Sequence, residues 1–229
     1  MLIRKPILMY HSTAIDPDLR VNVTPEALAG HLEYLSNQDL RCRSVLEHLR
    51  TPAGNSVGLS FDDGYLNNLD ILPLLKQHGA GATFFVLTGC EGETLDCHRP
   101  QEVPIMGPDG WRELHRQGYE VAAHGVTHRK LTDIDDAECE REISQSIATI
   151  REVTGQAQIG YAYPFGAMHA RGLDFARKYA AYACATRYGY PLGENQWRLR
   201  RINIGPPDDT ARLRKKLGLP FRLLCDLGY

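Results

Sequence analysis

Residues 57–64 read Val57-Gly58-Leu59-Ser60-Phe61-Asp62-Asp63-Gly64, an apolar run that stops abruptly at two carboxylates and a glycine. A short run of this kind, bounded by a turn signal, predicts a buried β-strand over residues 57–61. An amphipathic helix is predicted next over residues 69–78, and a second strand follows over residues 82–87. This succession of strand, helix and strand indicates a parallel sheet, either open and doubly wound or closed into a barrel.

The same alternation extends in both directions along the chain. Thr24 and Pro25 are typical of a helix start, and a first strand is predicted before them over residues 6–10. Further strands are predicted over 120–123, 159–163, 181–186 and 198–204, and further helices over 110–117 and 135–153. No repeat, low-complexity tract or linker interrupts this pattern, which predicts one domain over residues 1–229. The long segment 88–109 is typical of a loop that binds substrate.

The composition excludes several classes of function. The chain has 229 residues, of which 43% are hydrophobic and 24% charged, as in an ordinary globular protein. With a formal net charge of −2, the chain lacks the excess positive charge that is typical of proteins that bind nucleic acid or an anionic membrane surface. No stretch approaches the roughly 20 apolar residues that cross a bilayer. The apolar run after Lys5 is too short for a signal peptide, which predicts a cytoplasmic protein.

The six cysteines are scattered and form no C-x-x-C pair. In a cytosolic chain this distribution predicts reduced thiols. Cys90 and Cys97 flank a short loop and could close on each other only in an oxidising compartment. Reduced cysteines are therefore the favoured interpretation.

Four predicted strands end in polar or conformationally unusual residues. The carboxyl ends of parallel strands meet at one edge of the sheet, and functional groups in such folds gather there. We therefore expect these strand ends to form a shared site. They are Tyr10-His11, Asp62-Asp63-Gly64, His124-Gly125-Val126-Thr127-His128 and Tyr163-Pro164-Phe165-Gly166.

Two of these segments predict a metal site. His124 and His128 are separated by three residues and can meet one ion, and imidazole suits zinc, cobalt, nickel or iron. Asp62 or Asp63 can supply a third ligand. Consecutive side chains at a strand end point in different directions, so one carboxylate can bind the cation while the other faces its water. The alternatives are ordinary surface or capping histidines and a plain turn at Gly64.

The ordered motifs resemble those of one family. Ser60-Phe61-Asp62-Asp63-Gly64, Ala82-Thr83-Phe84-Phe85-Val86, His124-Gly125-Val126-Thr127-His128 and Tyr163-Pro164-Phe165-Gly166 are similar to motifs of the polysaccharide deacetylases (NodB-homology, carbohydrate esterase family 4). The resemblance runs from about Ile7 to Ile204. The opening Leu8-Met9-Tyr10-His11 is similar to the branch that contains the poly-N-acetylglucosamine deacetylases. The resemblance implies a distorted (β/α) barrel of about seven parallel strands.

The resemblance also implies a role for each matched residue. Asp63, His124 and His128 match the ligands of a divalent metal, and Asp62 matches the catalytic base. The backbone N–H of Phe165 matches the group that helps to hold the oxyanion. Zinc is the default metal, with cobalt, nickel and iron as alternatives.

Two supporting positions depart from the family pattern. In many relatives a Leu-x-His near the carboxyl end supplies the general acid, but here the last strand, residues 199–203, contains no histidine. His11 is therefore the predicted acid, with a core histidine bonded to a backbone carbonyl as the alternative. Many relatives also brace the base with an arginine two residues before the motif proline, where this chain has Ala162. Arg200 or Arg201 can reach in from the last strand instead, unless both are surface residues.

Contacts with substrate are predicted from the remaining large polar and aromatic side chains. The two tryptophans can stack on a sugar ring, although large aromatic residues also pack cores and rims. Tyr65 lies just beyond the Asp-Asp-Gly turn and can line a pocket there. The predicted set is Tyr65, Tyr163, Trp111, Trp197 and Arg201.

Together these features predict a metal-dependent hydrolase that removes acetyl groups from the nitrogen of an amino sugar or an N-acetylated glycan. Two other functions stay open at this point. One is a metal-dependent amidohydrolase acting on a non-sugar amide, and the other is a non-catalytic carbohydrate-binding relic of the fold. The predicted cytoplasmic location favours a nucleotide-linked or lipid-linked amino sugar, or a soluble oligosaccharide, as the substrate over an exported polymer.

Overall fold

A computed structural model describes residues 6–13, 21–51, 55–95, 103–188 and 195–218 of the chain. Within these ranges, eight strands alternate with seven α-helices. In chain order they are β1 (Ile7–Tyr10), α1 (Pro25–Asn37), β2 (Arg41–Arg43), α2 (Val45–Arg50), β3 (Ser56–Phe61), α3 (Leu72–Gln77), β4 (Thr83–Val86), α4 (Pro108–Arg116), β5 (Glu120–Ala123), α5 (Asp136–Thr154), β6 (Tyr161–Ala162), α6 (Ala170–Tyr179), β7 (Ala183–Tyr188), β8 (Leu199–Asn203) and α7 (Thr210–Leu217).

The strands form one parallel sheet that closes on itself. β1 pairs with β3 on one side and with β8 on the other, while β3 to β8 pair in chain order. The ring therefore contains seven strands, and β2 pairs with the first half of β3 outside the ring, with Arg41 opposite Ser56. This confirms the predicted barrel and excludes the open sheet.

Alternate side chains of each strand face the inside and the outside of the barrel. Phe84 belongs to the large outer core between strands and helices, whereas the adjacent Phe85 belongs to a smaller inner cluster. Side chains therefore fill the barrel interior, and a ligand has to approach from an edge. The inner cluster consists of Ile7, Val45, Phe85, Ala122, Ala162, Tyr182, Cys184 and Leu199.

A buried glutamate and helix α2 close the amino-terminal end of the barrel. Glu120, 7% exposed, accepts hydrogen bonds from the Leu46 amide at 3.0 Å and the Tyr182 hydroxyl at 2.7 Å. The Thr83 hydroxyl donates a third bond at 2.6 Å. Burial raises the pKa of the Glu120 carboxyl in spite of these donors. The network lies at the opposite end of β5 from His124 and is therefore separate from the predicted site.

Most predicted elements are present within a few residues of their expected bounds. Thr24 caps α1 by accepting a hydrogen bond from the Ala27 amide at 3.2 Å. The helix predicted over residues 69–78 is shorter than expected. A 3-10 turn over Leu66–Leu69 precedes α3, which begins one residue before Pro73 because the proline ring does not tolerate a helical turn before it.

The sequence patterns did not predict β2, α2, α6 or α7. Helices α6 and α7 are short and strongly polar, and α7 buries only Leu213. A narrow apolar stripe of this kind gives little periodicity to detect. No helix in the described ranges combines the length and apolar character needed to cross a bilayer.

Candidate metal centre and its surroundings

An aspartate and two histidines converge at the carboxyl-terminal edge of the barrel. Asp63 Oδ1 lies 3.2 Å from His124 Nε2 and 3.3 Å from His128 Nε2. The side chains of these residues are 1%, 3% and 7% exposed, respectively. One potential ligand atom from each lies within 4.8 Å of the others, and no second cluster of this kind occurs among the described residues. The three predicted metal ligands are therefore brought together.

The donor atoms of this cluster fit a divalent transition metal. His124 Nδ1 lies 2.9 Å from the Ala162 carbonyl oxygen, which can only accept, so Nδ1 carries the proton and Nε2 presents a lone pair. That lone pair faces the Asp63 carboxylate, and two acceptors repel each other unless a cation or proton lies between them. A carboxylate with two imidazoles is a ligand set that suits zinc, cobalt, nickel or iron.

Three non-glycine residues of the site have a left-handed backbone. The φ angles of Asp63, His128 and Phe165 are 71°, 57° and 58°. Such conformations cost about 1–3 kcal/mol each and persist where the surrounding structure enforces them, often at functional sites. Gly64, with φ of 74°, continues the turn after Asp63, as its missing β-carbon predicted.

Asp62 makes a different set of contacts from its neighbour Asp63. Arg201 of β8 donates from Nη1 to Asp62 Oδ1 and from Nη2 to Asp62 Oδ2, both at 2.6 Å. The guanidinium is fully buried, lies over the Phe85 ring and also donates to the Ala185 carbonyl at 3.1 Å. Arg201 therefore braces Asp62. Of the two arginines of the last strand, it is the one that reaches into the barrel. None of the guanidinium is exposed in this structure, and the predicted contact of Arg201 with substrate stays a prediction.

Arg201 determines the ionisation of Asp62. Burial alone would raise the pKa of this carboxyl, but the positive charge of Arg201 and its hydrogen bonds to both carboxylate oxygens outweigh burial. The net result holds the pKa of Asp62 below its ordinary value, so the carboxylate is ionised at neutral pH. An ionised carboxylate is the form that can accept a proton.

His11 and the exposed apolar side chains border the cluster. His11 directly follows β1, and the pairing of Tyr10 with Phe61 places it next to Asp62 at the same edge of the barrel. The Phe165 ring is 41% exposed, and its centroid lies 4.5 Å from that of His128. Leu66, three residues beyond Asp63, is 43% exposed. Leu66 and Phe165 are the exposed large hydrophobic residues of the described ranges, and both flank the same edge.

The aromatic residues predicted to contact substrate are packed elsewhere. Trp111 is 1% exposed, and its indole N–H donates to the Met106 carbonyl at 3.2 Å. Tyr163 and Tyr65 are fully buried, and the Tyr163 hydroxyl donates to the Trp197 carbonyl at 3.0 Å. None of these three residues presents a ring face to solvent in this structure, and their predicted contacts with substrate stay predictions. Trp197 is half-buried and precedes β8, at the opposite end of the barrel.

The segment after β4 packs over the Asp-Asp-Gly turn. The Met106 amide donates to the Gly64 carbonyl at 2.8 Å, and the Leu66 amide donates to the Pro104 carbonyl at 2.9 Å. Between these contacts, Tyr65 packs in a small apolar cluster with Ile105. The described carboxyl-terminal part of the predicted substrate loop, residues 103–109, therefore supports the turn that carries the carboxylates.

The predicted reduced state of the cysteines is tested only in part. Cys90 is buried and its thiol is free, and burial raises its pKa to about 11. Cys97 lies outside the described residues, so the pairing of Cys90 with Cys97 stays a prediction.

Glu142 of α5 supports the site and was not singled out from the sequence. It is 4% exposed, and its carboxylate accepts hydrogen bonds from the amides of Val126 and Thr127 at 2.7 and 3.1 Å and from the Thr127 hydroxyl at 2.6 Å. Because these residues lie between His124 and His128, Glu142 holds the loop that joins the two histidines. The sequence feature that could have identified Glu142 is its charged side chain at a position on the otherwise apolar, buried face of α5.

Replacing Arg201 with lysine is expected to lower the free energy of unfolding by about 1.5–3 kcal/mol, the range for hydrogen bonds to charged groups. Lysine keeps the charge but cannot donate in parallel to both oxygens of Asp62. Urea denaturation measures the change. Arg200→Lys is the matched control, with a loss below about 1 kcal/mol expected at this half-buried neighbour. Equal losses in both variants would contradict a special role for Arg201.

Comparison with known proteins agrees with this architecture. The sequence model of the polysaccharide deacetylase family matches residues 50–183. The protein YxkH of Bacillus subtilis (strain 168) is 23% identical over 219 residues, which cover 88% of this chain and 71% of that protein. A chitooligosaccharide deacetylase of Rhizobium leguminosarum bv. trifolii is 32% identical over 117 residues, 50% of this chain and 48% of its own. The chain therefore spans about half the length of that relative.

A solved structure shares the fold of the whole barrel. The Streptococcus pyogenes deacetylase PplD in complex with acetate superposes with a TM-score of 0.80 at 24% identity. The superposition covers 94% of this chain and 99% of that one. At this level of identity the likeness concerns the fold.

The fold and the site together define a (β/α) barrel with a candidate metal centre at the carboxyl ends of its strands. Because the family match covers more than half of its residues, the chain belongs to the polysaccharide deacetylase family. This confirms the family and the enzyme class that the motifs predicted, a hydrolase of the carbohydrate deacetylase type.

Proposed function

We propose that this protein is a metal-dependent N-deacetylase that hydrolyses the acetamido group of an N-acetylated amino sugar or glycan. The observation that carries the proposal is the convergence of Asp63, His124 and His128 beside an ionised Asp62 held by Arg201. Family membership supports a carbohydrate substrate. The chitooligosaccharide deacetylase relative supports the same class of substrate.

The border of the site supports a sugar ring as ligand. Leu66 and Phe165 present exposed apolar surface on either side of the cluster. Binding sites for small molecules combine apolar walls with a few fixed polar groups. A pyranose ring carries both an apolar face and polar substituents, and it matches this combination.

Asp63, His124 and His128 would hold a divalent cation, with zinc as the default. When bound, such a cation lowers the pKa of a coordinated water to about 7 and polarises a carbonyl group. Three protein ligands are the number typical of catalytic sites, which keep a further position open for water or substrate.

The remaining residues of the chain would move the protons and hold the developing charge. Asp62 accepts a proton from water as the water oxygen bonds to the acetyl carbon, and Arg201 keeps that carboxylate oriented and ionised. The backbone N–H of Phe165 donates to the carbonyl oxygen as it becomes negative. His11 protonates the sugar nitrogen as the C–N bond breaks, which releases acetate and the free amine.

Replacing His11 with alanine is expected to slow amide hydrolysis by about 10²-fold, the lower end of the range for general acid catalysis. The loss should be much smaller for an activated ester such as 4-nitrophenyl acetate, because its leaving group departs without a proton. Steady-state turnover of both substrates gives the comparison. Equal losses on ester and amide would indicate that His11 has a structural role.

Metal analysis of the purified protein, combined with an acetate-release screen, tests the proposal as a whole. We expect one equivalent of divalent metal and acetate release from N-acetylglucosamine or its oligomers. Acetate release from small acylated amines alone would favour an amidohydrolase acting on non-sugar amides. Sugar binding by a protein that holds no metal would favour a non-catalytic relic.

A further inference from the structure

The two histidines of the cluster are held in different ways. His124 continues the end of β5, and its amide donates to the Val86 carbonyl at 2.9 Å. His128 lies four residues further on, outside any strand, with φ of 57°. The position of its imidazole therefore depends on the conformation of residues 125–127.

Hydrogen bonds from two sides fix this loop. On one side, the amides of Thr88 and Gly89 donate to the carbonyls of Gly125 and Val126 at 3.1 and 2.9 Å. These bonds hold carbonyl groups of the loop. The amide groups of Val126 and Thr127 and the Thr127 hydroxyl point in the other direction, towards α5.

On the side of α5, a single carboxylate receives the loop donors. Glu142 Oε2 accepts from the Val126 and Thr127 amides, and Glu142 Oε1 accepts from the Thr127 hydroxyl. Because Glu142 is 4% exposed, water cannot readily replace it as the acceptor. Loss of the carboxylate would leave three loop donors without their partner.

The backbone around Glu142 is closely fitted to the carboxylate. Gly125 has φ of 93°, and a β-carbon there would lie 2.9 Å from Glu142 Oε2. Tyr161 is fully buried, and its pKa is raised by burial and by the nearby charge of Glu142. The next residue, Ala162, accepts the hydrogen bond of His124. The surroundings of Glu142 therefore connect both histidines to one packed unit.

We infer that Glu142 is a positioning residue that sets the metal affinity of the centre by holding the loop of His128. The inference rests on the proposed function, since it concerns the cation that the cluster would bind. Outer-shell partners of metal ligands typically change metal affinity by 10–100-fold. Without these three bonds the loop loses its contacts on the side of α5, and the left-handed conformation that places His128 at the cluster is less firmly held.

Three variants and one control separate this role from general stability. Glu142→Ala removes all three bonds. Glu142→Gln keeps one oxygen for the two amides and offers its NH₂ to the Thr127 hydroxyl, which can also accept. Glu142→Asp keeps the charge but shortens the reach. Glu120→Ala is the matched control, because Glu120 is a buried carboxylate at the far end of the barrel that also accepts hydrogen bonds, among them those from Leu46, Thr83 and Tyr182.

The dissociation constant for Zn²⁺, measured by competition with a chromogenic chelator, is the main readout, and the visible spectrum of the Co²⁺-loaded protein is the second. We expect Glu142→Ala and Glu142→Asp to bind Zn²⁺ about 10–100-fold more weakly, with an altered Co²⁺ spectrum. Glu142→Gln should stay close to the wild type. Glu120→Ala should unfold more easily yet bind Zn²⁺ normally. If Glu142→Ala does not fold, Glu142→Asp and Glu142→Gln still give the comparison.

Two results would overturn the inference. One is unchanged Zn²⁺ affinity in Glu142→Ala and Glu142→Asp, and the other is an equal loss of affinity in Glu120→Ala. In either case a wild-type protein that binds Zn²⁺ leaves the proposed function standing. A wild-type protein that binds no divalent metal would instead remove the proposed function and this inference together.

Discussion

Replacing Asp63 with alanine is expected to abolish metal binding and to lower turnover by at least about 10³-fold, since a catalytic cation supplies several kcal/mol of transition-state stabilisation. Asp63 is the single anionic member of the cluster, and its Oδ1 lies within 3.3 Å of both imidazoles. Without it, two neutral side chains would have to hold a divalent ion. Metal content after dialysis and the rate of acetate release should fall together.

Backbone conformation sets the design of this experiment. Asp63 has φ of 71°, where alanine is strained and glycine is not. Asp63→Gly should therefore lose metal as alanine does, while keeping the stability of the turn. Asp70→Ala, at an exposed aspartate seven residues on, is the control and should keep both metal and turnover. A variant at position 63 that kept its full metal content would show that Asp63 is not a ligand.

Replacing Asp62 with asparagine is expected to lower turnover by about 10²–10⁴-fold while the metal stays bound. The asparagine amide cannot accept a proton from water, although its shape matches that of the aspartate. The metal ligands are unchanged, so the Zn²⁺ affinity should stay near that of the wild type. Acetate release and metal content, measured on the same samples, separate this variant from Asp63→Ala.

The contact with Arg201 requires a stability control for Asp62→Asn. Asparagine keeps one acceptor oxygen for the guanidinium and turns its NH₂ towards the other nitrogen, so one of the two 2.6 Å bonds is lost. Thermal unfolding should show a moderate loss similar to that of Arg201→Lys, with the protein still folded at the assay temperature. Near-normal turnover in the folded variant would mean that another group is the base.

The parts of the site that depend on local pattern were predictable from the sequence. Asp62, Asp63 and His124 directly follow strands, and the edge at which parallel strands end is fixed once the alternation of strands and helices is recognised. The barrel itself followed from that alternation together with the motif resemblance. The position of His128 beside His124 and Asp63 was predictable because its spacing from His124 suits a shared ion.

The other features depend on tertiary packing that a linear pattern does not contain. Whether Arg200 or Arg201 faces inward is set by the register of β8 against β1 and β7, which only ring closure determines. The residue type of Trp111 allows either stacking on a sugar or packing in the core, and only its 1% exposure shows that it is packed in this structure. Glu142 was missed because its partners are backbone amides of a loop 15 and 16 residues away.

The position of β8 late in the chain has a consequence for folding during synthesis. Asp62 and Arg201 are 139 residues apart, and the arginine arrives on the last strand of the ring. Contacts across such a separation are slow to form, because the entropy of closing the intervening chain has to be overcome first. A nascent polypeptide that ends before β8 already contains Asp63, His124 and His128 but lacks the arginine that braces Asp62. The proposed activity is therefore expected only after synthesis has passed β8 and the ring has closed.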